Sequence, residues 1–575
     1  MPFPSLRARF ACAALCALWL LTVSASVQAA PGQHAVASAH PLATAAGEEI
    51  FAAGGNAFDV AVAVTAALGV TEPQGSGLGG GGFFLLHEAE GGRSVMLDAR
   101  ETAPGAAHRG LYLDAEGDEV VPGLSLDGAL AAAIPGMPAA LVHLASRYGR
   151  LALGASLAPA IRLAEEGFPV DVTFQQMARF RQSALRAGAD AEDIFLRDGE
   201  VPAEGELIRQ PDLAETLRRL ADQGRAGFYV GETAERLVEG VRAAGGIWTL
   251  EDLSGYTVAE RSPLVLEYRD ARIVTAPPPS SGGVAIGQIL NILAVQDDEL
   301  GDDEALRVHL LVEAMRRAYR DRALYLGDPD HVDIPVPRLL SAAYAAKLRE
   351  GIDPARATPS AELPLVAEDA VVDPPSGESP QTSHFSVLDA EGNRVAATIT
   401  LNYPFGSGFV PPGTGVLLNN EMDDFSARPG VPNVYGLIGF EANAIGPHRR
   451  PLSSMSPTFV ESADRVTVLG TPGGSRIITT VLHGILATLE GADAQEVVRT
   501  QRFHHQYLPD RIEFEGGALS SEVLLELARR GHTLAPQLRP FGNMQVILWD
   551  RRTGRVEAAS DPRGSGSAVV LSPLD

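Results

Sequence analysis

Residues 382–402 read TSHFSVLDAEGNRVAATITLN. Two runs rich in β-branched and aromatic residues flank the turn-forming stretch Asp389 to Asn393, which predicts a β-hairpin. With the turn centred on Glu391, Thr382 lies opposite Thr400. Directly opposed residues hold their Cβ atoms about 5 Å apart, within reach of a hydroxyl–hydroxyl contact. Asn402, two residues further on, shares the face of Thr400. Upstream, from about Ala355 to Pro380, the chain is rich in Pro, Ala, Ser and acids and reads as a loose surface segment. Order returns at Gln381.

A threonine hydroxyl is a weak nucleophile and needs a base within hydrogen-bond reach. No G-x-S-x-G elbow occurs in the chain. A threonine that begins a polypeptide has its own α-amine, with a pKa near 7.7–8.0, to take the hydroxyl proton. Thr382 therefore suits the role of an N-terminal nucleophile freed by a cut after Gln381. On the hairpin alone, the plainer reading is a threonine that starts an ordinary strand.

The remaining sequence bounds the setting. The chain has 575 residues, a length that allows several domains or one large layered enzyme. Arg7 and Arg9 precede an apolar run, Phe10 to Val23, which ends in the small residues of a cleavage site before Ala30. Residues 1–29 read as a secretory signal; a membrane anchor is the alternative. Both cysteines, Cys12 and Cys16, lie inside it, so the exported product carries no thiol for nucleophilic, disulfide or metal chemistry. The formal net charge of −26 disfavours nucleic acid and anionic lipid as partners.

Asn56 to Leu68 predicts a nearly all-apolar helix buried between layers. Gly77 to Gly82 matches G-x-G-x-x-G but follows a helix and leads into a strand, the reverse of a dinucleotide site, so close backbone packing is the better reading. Glu304 to Leu324 predicts an amphipathic helix with Arg316, Arg317 and Arg320 on a solvated face. His504 and His505 are adjacent and have no ligand cluster near them in sequence; they read as packing or supporting residues, and no metal or cofactor is expected.

The hairpin segment resembles the start of the small subunit in the γ-glutamyltransferase family of N-terminal-nucleophile hydrolases. The resemblance continues through NNEMDDFS (419–426), PGVPNVYG (429–436), RPLSSMSPT (450–458), PGGSRI (472–477) and RFHHQ (502–506), and upstream through DARETAP (98–104) and PPPSSGG (277–283). These motifs run co-linearly over nearly the whole chain after the signal. The resemblance implies an α+β fold, a four-layer αββα sandwich, self-cleaved into a large subunit (30–381) and a small subunit (382–575) that stay together as a heterodimer. It implies cleavage of γ-glutamyl amides through an acyl-Thr382 ester, with transfer to water, amino acids or peptides, in the periplasm or outside the cell.

The residue types fit such a substrate. Arg100 can hold an α-carboxylate through paired hydrogen bonds, and Ser453 and Ser454 add hydroxyl donors. Asn402, Glu421 and Asp424 offer acceptors for an α-ammonium. Gly473 and Gly474, between the strand Arg465 to Leu469 and the helix Arg476 to Leu489, are natural oxyanion donors. Thr400 would position the Thr382 hydroxyl, and Tyr435 belongs to a Pro/Gly-rich stretch, Pro429 to Gly446, that the resemblance implies is a lid over the site. Some family members carry Gln where this chain has Glu421. Two rivals remain: an acylase of the same family that removes glutaryl groups, and an inactive periplasmic binding protein with this fold.

Overall fold

The computed structural model describes residues 30–295, 303–363 and 382–572; the signal, Gln381 and most of the Pro/Ala-rich linker lie outside the described residues. Two antiparallel sheets stack face to face. The first has seven strands in the order 567–571, 34–38, 383–388, 394–400, 81–88, 93–99 and 259–261. The second has six, in the order 556–560, 545–550, 465–470, 458–461, 271–275 and 264–268.

Side-chain alternation builds both faces of the first sheet. Phe84, Leu86, Phe385, Val387 and Val395 point to the helices Pro41–Ala52 and Ala57–Thr71, which pack on its outer face. Phe83, Leu85, Leu388 and Ala396 point inward and meet Ile273, Val468 and Ile547 of the second sheet. Helices Gly282–Ala294 and Ile477–Leu489 cover the far side, with Glu304–Tyr325 packed outside the first of them. The result is the four-layer αββα arrangement.

The predicted hairpin forms as strands Ser383–Leu388 and Arg394–Thr400, with Ser383 opposite Ile399 and Leu388 opposite Arg394. The expected apolar helix starts at Asn56, whose side chain caps the amides of Phe58 and Asp59, and 14 of its 15 residues are buried. Gly77–Gly82 is a packing element. A Cβ at Gly79 would stand 2.0 Å from the Leu417 carbonyl oxygen, and one at Gly80 would stand 1.9 Å from that of Thr400. Only glycine lets these backbones approach.

The basic face expected on Glu304–Tyr325 is corrected. Arg316 and Arg317 are buried. Both pair with Glu313 on their own helix, and Arg316 also reaches Ser360 and Asp510. A buried guanidinium persists only when charge and hydrogen bonds compensate it, and Glu313 supplies that at three- and four-residue spacing. Of the three arginines, only Arg320 keeps part of its side chain in solvent. The described start of the linker is also better ordered than expected: Ser360 is buried and donates to the Tyr507 carbonyl oxygen at 2.6 Å.

Candidate active site

Thr382 directly precedes the third strand of the first sheet, and its hydroxyl lies 3.0 Å from that of Thr400 at the end of the fourth. The Thr400 hydroxyl also accepts the Asn402 amide at 2.8 Å. Thr382 has φ +91° and Asn402 φ +75°. Positive φ at a β-branched residue is strained, costing about 1–3 kcal/mol, and such strain concentrates at working sites. Arg100 directly follows strand Arg93–Ala99, so two strands of the sheet, 394–400 and 81–88, stand between those of the nucleophile candidate and the cation.

Arg100, Thr382, Thr400, Asn402, Glu421, Asp424, Tyr435, Ser453, Ser454 and Gly474 line one cavity. Its free space is only ≈ 20 Å³, room for about one water. The cavity is small because its charges close on one another. The Arg100 guanidinium pairs with both Glu421 and Asp424, which sit on a single 3-10 turn, Glu421–Asp424. Its remaining donors reach the Pro451 and Leu452 carbonyl oxygens at 3.0 and 3.3 Å. Among the described residues, no hydrogen-bond partner reaches the buried Glu421 Oε2, an acceptor left open in the cavity. Burial raises the Asp424 carboxyl, against the pull of Arg100 and Arg322.

The PPPSSGG stretch holds the serine loop. The Ser453 amide donates to the Pro279 carbonyl oxygen at 2.9 Å, and the Ser281 hydroxyl donates to the Ser453 carbonyl oxygen at 2.7 Å. Gly473 and Gly474 both have positive φ, at +135° and +55°. A Cβ on Gly474 would stand 2.7 Å from the Tyr435 ring, so glycine there is what lets the ring pack against this turn. Tyr435 is buried, donates its hydroxyl to the Asn402 carbonyl oxygen at 2.6 Å and accepts from Gln506 at 3.0 Å.

Sequence reasoning did not single out Arg322, Glu101 or Gln506. Arg322 is a second buried cation beside the site, 3.0 Å from Ser281 Oγ and 3.5 Å from Ser454 Oγ, and burial lowers its pKa. Glu101 stands 3.7 Å from the Arg100 guanidinium, and burial pushes its carboxyl up to about 8. The adjacency of Glu101 to Arg100 in DARET was a usable signal; the approach of Arg322 was not. His504 bonds Thr479 and Gln506 at 2.8 and 2.9 Å, and His505 bonds Asp510 at 3.1 Å. The RFHHQ motif thus supports the 429–446 stretch through Gln506, whose side chain donates to the Tyr435 carbonyl oxygen.

Among the described residues, His309, Glu313 and His532 bring possible metal-ligand atoms within 4.8 Å of one another. The two imidazoles already hydrogen-bond directly at 2.8 Å, and the guanidinium groups of Arg316 and Arg317 already neutralise Glu313.

A threonine hydroxyl at the mouth of a hairpin, hydrogen-bonded to a second threonine, in a cavity that Gly474 also lines, within an αββα sandwich, defines an N-terminal-nucleophile hydrolase. Comparison with known proteins narrows the class. The model of the family described as gamma-glutamyltranspeptidase matches residues 43–571, and the chain belongs to that family.

Its relatives include a glutathione hydrolase proenzyme of Pseudomonas sp. (strain A14), 43% identical over 94% of this chain and 93% of the relative. Another is the glutathione hydrolase proenzyme of Escherichia coli (strain K12), 42% identical over 92% of this chain and 90% of the relative. Among solved structures, a cephalosporin acylase from Bacillus halodurans superposes with TM-score 0.79 at 29% identity, covering 93% of this chain and 95% of that one. Gamma-glutamyltranspeptidase of Helicobacter pylori gives TM-score 0.55 at 39% identity, over 58% of this chain and 97% of that one.

Proposed function

We propose that the protein cleaves γ-glutamyl amides such as glutathione and its conjugates, and passes the γ-glutamyl group from Thr382 to water or to an amine acceptor. The observation that carries this reading is the opposed charge pair, Arg100 against Glu421 and Asp424, in the cavity that Thr382 lines. A γ-glutamyl group brings a carboxylate and an ammonium on one carbon. It can slip between these partners and give each a new one, with no net change of buried charge. A glutaryl group lacks the ammonium and would leave Glu421 and Asp424 uncompensated. The identities point the same way, at 43% to a glutathione hydrolase proenzyme and 29% to the cephalosporin acylase.

In this reading the Thr382 α-amine takes the hydroxyl proton, Thr400 orients the hydroxyl, and the amides at Gly473 and Gly474 stabilise the oxyanion. Ser453 and Ser454 assist Arg100 at the carboxylate; Asn402 assists at the ammonium; Tyr435 shields the ester from bulk water. The strain at Thr382 favours a self-cut before it, since breaking the bond to residue 381 releases the φ constraint.

The two pieces, 30–381 and 382–575, would not separate. In the first sheet, strand 34–38 of the first piece lies between 567–571 and 383–388 of the second. The leader at 1–29 supports export, to the periplasm or beyond. No helix among the described residues is long and apolar enough to cross a membrane.

The test combines maturation with turnover. Wild-type protein should run as two bands and release the free aniline from a chromogenic γ-glutamyl anilide, faster with glycylglycine present. Thr382→Ala should run as one inactive band, and Thr382→Ser should still mature. Two bands from Thr382→Ala would reject self-cleavage, and a mature wild type inert to the anilide would reject the activity.

A further inference from the structure

Among the described residues no carboxylate comes within ion-pair distance of the buried Arg322 guanidinium; it meets two hydroxyls instead. Its Nε donates to Ser281 Oγ at 3.0 Å, and a terminal nitrogen lies 3.5 Å from Ser454 Oγ. Ser453 and Ser454 line the cavity that holds Thr382 and Arg100, and Arg322 stands behind them, outside its lining. A buried cation without a direct counter-ion is costly, so its charge must be answered from nearby. Asp424 attracts it and Arg100 repels it.

A guanidinium carries donors only, so it dictates where the hydroxyls beside it send their protons. Ser281 Oγ accepts from Arg322 and donates to the Ser453 carbonyl oxygen at 2.7 Å, where the Ser281 amide also donates at 2.8 Å. The Ser453 amide donates to the Pro279 carbonyl oxygen at 2.9 Å, so both backbone polar groups of Ser453 are held. Ser454 Oγ has no other hydrogen bond among the described residues. With Arg322 on its acceptor side, its proton turns to the cavity that Ser454 lines. Charge points the same way. Arg100 and Arg322 balance Glu421 and Asp424, two against two, while burial pushes the Glu101 carboxyl up to about 8 and keeps it protonated at neutral pH. A zwitterionic γ-glutamyl group adds one charge of each sign and preserves that balance. Without Arg322 the cluster would be net negative and would repel a carboxylate.

We propose that Arg322 is a positioning residue for the substrate α-carboxylate: it turns the Ser454 proton into the cavity, fixes Ser453 through Ser281, and supplies the second positive charge of the cluster. The inference rests on the γ-glutamyl reading of that cavity. Arg322 acts through the two serines and not by contact, so its effect falls on binding of substrates that carry the carboxylate and spares those that lack it.

The experiment runs mature wild type and Arg322→Gln on γ-glutamyl anilide and on γ-aminobutyryl anilide, the same substrate without its α-carboxylate, reading KM and kcat apart. Arg322→Gln should raise KM for γ-glutamyl anilide by about 10- to 150-fold, the range of a charge-assisted hydrogen bond, with little change in kcat. On γ-aminobutyryl anilide its kcat/KM should stay level or rise, because no carboxylate is gripped there and a cation that repels the ammonium has gone. Ser281→Ala cuts only the link to Ser453 and should raise KM for γ-glutamyl anilide by about 2- to 12-fold. This second variant tests the idea even if Arg322→Gln fails to mature. A parallel fall of kcat/KM on both substrates, or an unchanged KM for γ-glutamyl anilide in either mature variant, would overturn the proposal. Equal kcat/KM for the two anilides on wild type would instead reject the γ-glutamyl reading beneath it, because the carboxylate would then not be read at all.

Discussion

The Tyr435 hydroxyl donates to the Asn402 carbonyl oxygen across 2.6 Å, and this bond ties the stretch 429–446 to the strand end that also carries Thr400. A buried hydrogen bond contributes about 0.5–1.5 kcal/mol net. Tyr435→Phe keeps the ring over Gly474 and removes only that bond. Local opening of 429–446 should become easier by about 2- to 12-fold, and amide hydrogen exchange there should speed by that factor. Unchanged exchange in this segment would mean that the ring packing alone holds it.

Arg100 has two duties that separate experimentally. It compensates Glu421 and Asp424 in the free protein, and it is the expected partner of the substrate carboxylate. Arg100→Ala takes from Glu421 and Asp424 their ion-pair partner, and breaking a buried pair of this kind costs about 3–5 kcal/mol. Its melting temperature should therefore fall. Arg100→Lys keeps the charge but loses the paired donors; with about 1.5–3 kcal/mol for a charge-assisted bond, KM for the γ-glutamyl anilide should rise by about 10- to 150-fold. A normal KM in properly matured Arg100→Lys protein would remove Arg100 from substrate binding.

Glu101 makes stability depend on pH. Burial moves its carboxyl from the ordinary 4.5 up to about 8, so the folded protein keeps a proton that the unfolded chain loses within this window. The unfolded state then binds fewer protons, and stability falls as pH rises from about 4.5 to about 8, levelling off above. One pKa unit corresponds to about 1.4 kcal/mol, which makes the effect on the order of a few kcal/mol. Glu101→Gln removes the decline. Its melting temperature relative to wild type should rise between pH 5 and pH 9, and an equal difference at both values would refute this assignment.

How much of this was legible in the sequence depended on distance along the chain. The 382–402 hairpin was readable to the residue because its turn and its side-chain alternation set the register locally, and the Thr382–Thr400 contact follows from that register. Arg100 could be named for its chemistry. Its pairing with residues 421 and 424 depends on how two sheets and a 3-10 turn converge, which no local pattern encodes. Arg316 and Arg317 misled for a related reason. A helix pattern ranks them as outward-facing, whereas Glu313 and the distant Asp510 compensate them in the interior. Arg322 escaped notice because only the fold brings the 304–325 helix beside Ser281 and Ser454.

Asp424 offers the sharpest separation of γ-glutamyl from glutaryl substrates. If Asp424, Glu421 and Asn402 grip an ammonium, a glutaryl anilide leaves the two carboxylates facing a group with no positive charge. Arg100 cannot satisfy them at the same time, because it must turn to the glutaryl carboxylate. Sites built around a substrate's polar group reject analogues lacking it by up to about 10⁴-fold in kcat/KM. Asp424→Asn preserves shape and one acceptor oxygen while removing a charge. It should therefore lower kcat/KM for γ-glutamyl anilide and raise the relative rate on glutaryl anilide, narrowing the gap. Both substrates should be run on wild type and variant at pH 8, so that protonation of Asp424, whose carboxyl burial raises, does not imitate the substitution. Equal kcat/KM for the two substrates on wild type would show that the ammonium is not read, and would favour the acylase reaction.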